Sequence, residues 1–345
     1  MPLAEQLADP STAAAGMSNK KITFVLPIAT KGTGRDEEDL ERVGILLKSL
    51  YWAADADDIQ KLYIVTTEHD YPAVTQRVNE FVTSLRIEVV READICPEFL
   101  SQPDTTNAWP RPNQGWFRQQ LIKLAMYEHV DTDCYMTLDS DVIFVKQFSH
   151  HDILADGRAL TATFGPNELF HLFKAAVASH EVSVRLTRMR QAETVLRFKL
   201  SPEFCNRYYG ETPVVLCRPV VEQLARRLEE VHASPWRTAL LKLLPWTEYS
   251  LYYLCAEHYG LFDTYHRIGG MDAVLRLQSS LWRSPDSYNE CRALSNWDFR
   301  SIMRAQADGI AVVVQSYLGY RTRDVEALVN DALRPADSAE RGSRR

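Results

Sequence analysis

Two hydrophobic rhythms alternate along the first half of the chain. "KITFVLPIAT" is a near-continuous apolar run that reads as a buried strand, ended by the glycine-containing loop "KGTGRDEED". "LERVGILLKSLYWA" follows with the apolar recurrence of a helix, and "KLYIVTT", "YPAVTQRVNEFVTSL" and "RIEVVR" then repeat strand, helix and strand. Strands alternating with helices over short connections predict an α/β fold, a mostly parallel sheet flanked by helices. In such a sheet ligands bind beyond the carboxyl ends of the strands.

After the proline-rich loop "PDTTNAWPRPNQG", the segment "WFRQQLIKLAMYEHV" returns to helical spacing. At about 100° per residue, Phe117, Leu121 and Leu124 share one face, while Trp116, Gln120, Lys123 and Tyr127 share another. That second face reads either as one side of a ligand pocket or as a solvated flank with aromatic rims. "ALTATFG" and "TPVVLC" are further strands, separated by a largely helical insertion from Asn167 to Lys199 that carries Arg185, Arg188, Arg190, Arg197 and Lys199. Such a face suits an anionic acceptor or a membrane surface, with a solvated helix as the bland alternative. "WRTALLKLLPW" reads as a core helix or, more sharply, as an interfacial one, and "IAVVVQSYLGY" as a late strand. Residues 1–19 and the polar end of the chain lack periodicity and are expected to lie outside the fold.

Composition narrows the class. The chain has 345 residues, 46% hydrophobic and 25% charged, which suits a globular protein with a substantial core. A net charge of −7 gives no chain-wide electrostatic footprint for nucleic acid. The six cysteines are scattered without metal-type spacing and read as reduced thiols of a cytosolic protein. No signal-peptide pattern and no run approaching ~20 apolar residues is present, so the expectation is a soluble, cytoplasmic protein.

The chemistry concentrates in "CYMTLDSDVIFVKQF", Cys134 to Phe148, where Asp139 and Asp141 end an apolar run. A buried ionised carboxylate is costly without a partner. In an extended strand end, residues i and i+2 point to one side, so the two carboxylates could converge on a hard cation such as Mg2+ or Mn2+. A turn cap and a solvated strand end are the competing readings.

At this point the chain resembles the metal-dependent bacterial glycosyltransferases of the GT-A fold with a D-x-D motif, closest to a group linked to surface polysaccharide synthesis. The resemblance rests on "ITFVLPI", on "GWFRQQLIKLAMYEHVDTDCYMTLDSDVIFVKQF" and on "WTEYSLYYLCAEHYGLF", and spans most of residues 21–320. It implies a GT-A-like domain with a donor-binding half at 20–148, an acceptor-binding half at 149–322 and a helical or disordered tail at 323–345. It further implies a nucleotide-diphosphate-sugar donor, UDP-linked by preference, a glycan or glycolipid acceptor, and Mn2+ or Mg2+ held by Asp139 and Asp141. Glu248, in the first turn of a helix announced by Pro245 and Thr247, is the expected base of an inverting enzyme. An acidic residue complementing the helix dipole is the alternative. His266 is the expected third metal ligand; Thr30, Lys31, Arg118, Gln120, Lys123 and Ser140 are expected near the nucleotide or its phosphates. A lipid-linked acceptor would require peripheral membrane contact through the arginine-rich insertion and "WRTALLKLLPW".

Three rivals remain at this level. "YMTLDSDVI" also fits the local pattern of haloacid-dehalogenase-type phosphatases, although there the motif follows the first strand. A nucleotidyltransferase would use a related sheet and the same carboxylates, and a non-catalytic carbohydrate-binding protein could keep the fold.

Overall fold

The computed structural model describes residues 21–29, 36–81, 84–101, 114–199, 206–243 and 245–334. Its centre is a five-stranded sheet in the order β3-β2-β1-β4-β9. β1 (Ile22–Ile28), β2 (Ile59–Thr66), β3 (Ile87–Arg91) and β4 (Cys134–Thr137) run parallel, and β9 (Val214–Cys217) pairs antiparallel with β4. Between them, helices α1 (Asp36–Ala53), α2 (Tyr71–Asn79) and α3 (Gln114–Ala125) make the crossovers expected from the apolar periodicity. Every residue of β1 and β4 is buried, which is why both read as uninterrupted apolar runs.

Beyond β4 the chain turns at once into β5 (Val142–Phe144), which pairs antiparallel with the late strand β11 (Ala311–Val313). A second sheet carries β6 (Leu154–Ala155), β7 (Arg158–Phe164), β8 (Tyr208–Tyr209) and β10 (His266–Gly269). The insertion between β7 and β8 contains the long helix α4 (Ala175–Leu196). After β9 come α5 (Arg218–His232), α6 (Trp236–Lys242) and α7 (Glu248–His258). Residues beyond 148 therefore complete the first sheet as well as building the second. The segment around 323 also joins the fold: α8 (Thr322–Leu333) buries Val325 and Val329 in a second apolar cluster with Ile45 of α1, Ile143 and Val312.

One expectation needs correction. Cys134 and Cys217 are not free thiols: they form a disulfide across the β4–β9 ladder. They lie directly opposite one another with Cα atoms 4.1 Å apart, a neighbourhood that their separation of 83 residues hides in the sequence. In the segments offered for membrane contact, Arg190, Arg197 and Lys199 are exposed while other members are engaged in the fold. Trp236, Leu240, Leu241 and Trp246 are buried, and Arg185 and Arg188 turn into the central cleft described below. Among the described residues no helix is long and apolar enough to cross a membrane.

Trp246 links the core to the helix that follows it. Its ring meets Phe117 of α3, and its indole Nε1 donates to the Leu240 carbonyl at 2.9 Å. Trp246→Ala is expected to lower unfolding stability by about 3–5 kcal/mol, measured by urea denaturation, because the cavity lies between two helices that cannot both collapse onto it.

Candidate functional site

The carboxyl ends of the central strands open into a cleft of about 520 Å3. β4 is an interior strand between β1 and β9, and the Leu138 amide still donates to the Val25 carbonyl at 2.8 Å, so the chain leaves the ladder only at Asp139. The Asp pair does not sit on an extended strand end. It forms a tight turn into β5, closed by the Val142 amide on the Asp139 carbonyl at 3.2 Å. Both Asp139 and Asp141 line the cleft, whereas Ser140 lies outside its wall.

Lys123 organises this end. Its Nζ lies 2.7 Å from Asp139 Oδ1, 3.2 Å from Glu248 Oε1 and 3.3 Å from the Tyr249 hydroxyl. Burial opposes a charged ammonium, but Asp139, Tyr249 and Glu248 outweigh it and hold Lys123 well above the usual lysine range. The polar face of α3 is thus a buried, satisfied polar face and not a solvated flank. Gln120 is buried beside it, its Oε1 accepting from the Glu248 amide at 3.2 Å. That bond satisfies a free amide at the start of α7, because the Thr247 hydroxyl is turned to Ser250 at 2.7 Å. Glu248 is the first residue of α7, as the sequence predicted, and it lines the cleft. Burial raises its proton affinity above the ordinary carboxylate range; Lys123 opposes the shift and Asp139 adds to it.

Asp141 differs from its neighbour. Asp139 is 37% exposed in its side chain and ion-paired, while Asp141 is 8% exposed as a residue and its Oδ1 is buried without a hydrogen-bond partner. Burial, followed by the nearby Asp139, pushes Asp141 up to about 7, although Arg42 and the Ser316 amide draw it down. A carboxylate pair with an unpartnered buried oxygen fits a hard cation that takes oxygen ligands. Among the described residues no group of three or more His, Cys, Asp or Glu side chains forms a complete metal cage. A cation here would draw its remaining ligands from substrate and water.

Other expected residues lie elsewhere. His266 is a correction: it is a buried core residue whose Nδ1 meets the Thr161 hydroxyl at 2.8 Å and whose Nε2 meets the Tyr252 hydroxyl at 2.7 Å. Burial pushes it down to about 3, and with both nitrogens bonded it has no free lone pair aimed at the cleft. Arg118 also stands apart, ion-paired to Glu92 and stacked 4.3 Å above Phe99. Thr30 and Lys31 lie outside the described residues.

Of a further part of the cleft lining, sequence reasoning singled out Arg185 and Arg188, as a face suited to an anionic acceptor, but not Glu181, Glu211 or Arg283. Glu181, Arg185 and Arg188 from α4 face Glu211 and Arg283, with Trp116 and Tyr317 also lining the cleft. The spacing of Glu181 and Arg185 by one helical turn was a readable pair signal. Glu211 and Arg283 come from distant segments and carried none.

A family model matches residues 19–336 and is described as a family of unknown function, DUF6492. The chain belongs to the DUF6492 family. Sequence comparison with curated proteins finds no match. Among solved structures, this DUF6492 chain is similar to mouse xyloside xylosyltransferase 1 in its apo form, with 11% identity, a TM-score of 0.49, and coverage of 86% of this chain and 99% of that one. It is also similar to a 4-diphosphocytidyl-2C-methyl-D-erythritol synthase from Anaerococcus prevotii, with 11% identity, a TM-score of 0.35, and coverage of 73% and 87%. Both likenesses are remote.

The state of Asp141 sets a pH dependence of stability in metal-free protein. Its folded value of about 7 lies above the unfolded carboxylate value of 3.8, so the folded state holds the extra proton. This contribution is complete below pH ~4 and is lost as pH rises to ~7, amounting to a few kcal/mol at roughly 1.4 kcal/mol per tenfold change in proton affinity. Asp141→Asn is therefore expected to stabilise the metal-free protein at pH 8 but not at pH 4, measured by chemical denaturation at both. Equal effects at the two pH values would contradict the assignment.

Proposed function

We propose that this cleft is the active site of a GT-A-like glycosyltransferase that moves a sugar from a nucleotide-diphosphate donor to a hydroxyl of a glycan or glycolipid. The observation that carries the reading is the meeting, in one cleft, of the under-compensated Asp139–Asp141 pair at the end of the central strand with Glu248 at the start of α7. Asp139 and Asp141 would hold Mn2+ or Mg2+, which when bound supplies Lewis-acid stabilisation of the charge that develops on the departing diphosphate. UDP is the favoured nucleotide.

The protein's own groups do the rest. In the inverting form of the reaction, the acceptor oxygen bonds to the anomeric carbon as the bond from that carbon to the diphosphate oxygen breaks. The electron pair leaves with the nucleotide diphosphate, and Glu248 takes the acceptor's hydroxyl proton. Burial gives Glu248 a proton affinity higher than that of a surface carboxylate, which suits a base, while Lys123 keeps it ionised and fixes its direction. Gln120 holds the first amide of α7, so the base is anchored through main chain and side chain alike.

Thermal stabilisation by uridine diphosphate and hydrolysis of a panel of nucleotide sugars, each with and without Mn2+, test the reading. Metal-dependent stabilisation and turnover are expected, and Asp139→Ala and Asp141→Ala should each abolish the metal-dependent part while the protein stays folded. No response to any nucleotide, together with cleavage of p-nitrophenyl phosphate, would instead favour a phosphatase.

The base role has its own readout. Glu248→Gln is expected to lower kcat by about 10²–10⁴-fold with donor affinity little changed, and to remove the acid limb of the kcat/KM profile. In the unsubstituted enzyme that limb should rise with pH through a value above the ordinary 4.5 of a glutamate, because only the ionised form accepts a proton. Near-normal turnover of the folded variant would eliminate Glu248 as base.

A further inference from the structure

The wall facing the carboxylates is a fixed array of guanidiniums. Arg185 pairs with Glu181, and also lies 3.3 Å from Glu211. Arg188 Nη1 lies 3.0 Å from the same Glu211 oxygen, and Arg283 pairs with the other oxygen of Glu181. Burial opposes ionisation of Glu211, but Arg188, Arg185 and Arg283 together outweigh it and hold its carboxyl below the usual range. Three guanidiniums against two carboxylates leave one positive charge on this wall. The Nε groups of Arg185 and Arg283 are buried without a hydrogen-bond partner.

Two features separate this wall from a surface salt-bridge network. Glu181 and Arg185 are nearly fully buried, so the array is held in place before any ligand arrives. It also shares its cleft with the acidic end formed by Asp139, Asp141 and Glu248, where Asp139 and Glu248 share the ammonium of Lys123. One cleft therefore has an acidic end suited to a cation and a basic wall suited to an anion. Tyr317, 57% exposed, and Trp116, 45% exposed, add aromatic surface to the cleft lining.

We propose that the Arg185–Arg188–Arg283 wall binds a singly charged oxyanion on the acceptor, a sugar carboxylate or a phosphodiester, so that the protein glycosylates an acidic glycan. This rests on the glycosyltransferase reading and extends it to the acceptor. The charge count favours the acceptor over the donor. In the reading above the donor's diphosphate is matched by the cation at Asp139 and Asp141, which leaves the wall's single surplus charge for a singly charged group elsewhere in the cleft. Guanidinium forks recognise planar carboxylates and phosphate oxygens through paired donors, and here the buried network fixes their orientation.

The test uses the full chain saturated with uridine diphosphate and Mn2+, titrated with glucuronate, glucose or dimethyl phosphate and followed by calorimetry. Glucuronate is expected to bind at least about tenfold more tightly than glucose. Arg188→Gln and Arg283→Gln should each remove that preference, Arg188→Lys should restore part of it, and circular dichroism and unchanged uridine diphosphate affinity verify that the variants fold. Dimethyl phosphate identifies the source: binding tighter than glucuronate, and lost in the same variants, assigns a phosphodiester, and weaker binding a carboxylate. Binding of both glucuronate and dimethyl phosphate no tighter than glucose overturns the proposal, as does a loss of uridine diphosphate affinity in folded Arg188→Gln, which would assign the wall to the donor. If uridine diphosphate fails to bind the unsubstituted protein while glucuronate still binds through Arg188, the glycosyltransferase reading falls and the anion subsite stands.

Discussion

The site depends on one buried ammonium. Lys123 is enclosed by protein, and an isolated charge in that position would be lost to deprotonation. Asp139, Glu248 and Tyr249 reverse that outcome, and by doing so they tie three separate elements to one point: the helix α3, the turn after β4 and the start of α7. Removing one partner from such a set costs more than its gross attraction suggests, because the others are left charged in a dry place. The geometry of the carboxylates is therefore a property of the network and not of the Asp pair alone.

One ammonium cannot neutralise three carboxylates. Asp139 and Glu248 share it, and Asp141 is left with a distant Arg42 and the Ser316 amide. Its raised proton affinity is how the metal-free protein tolerates the deficit. The same deficit is what a divalent cation would relieve, so the strain that makes Asp141 costly alone is also what makes the pair a plausible ligand set in physical terms.

The first four strands and their crossovers were legible because β1 and β4 are buried on both faces and every crossover helix is long enough to show its period. The Asp pair and Glu248 were legible because an acidic residue ending an apolar strand, or opening a helix after Pro-x-Thr, breaks the local pattern. His266 misled for the opposite reason. A histidine beside two glycines looks like a loop ligand, and only the tertiary packing of Thr161 and Tyr252 against its two nitrogens makes it a core residue. The disulfide and the arginine wall depend on contacts between segments tens of residues apart, Cys134 with Cys217 and Glu181 with Arg283, for which local periodicity carries no signal.

The two ends of the cleft are built from different parts of the chain, yet neither part is separable. The acidic end rests on β4, and β4 is completed on one side by β9 from beyond residue 148. Asp141 in turn is held by the last strand, its carbonyl accepting from the Val314 amide at 3.2 Å. The residues that follow, Gln315 to Tyr317, also line the cleft, and Tyr317 donates to the carbonyl of Trp282, next to Arg283. One short segment thus touches Asp141 through its backbone and, through the Tyr317 side chain, the main chain just before Arg283. A displacement of that segment would move both ends together.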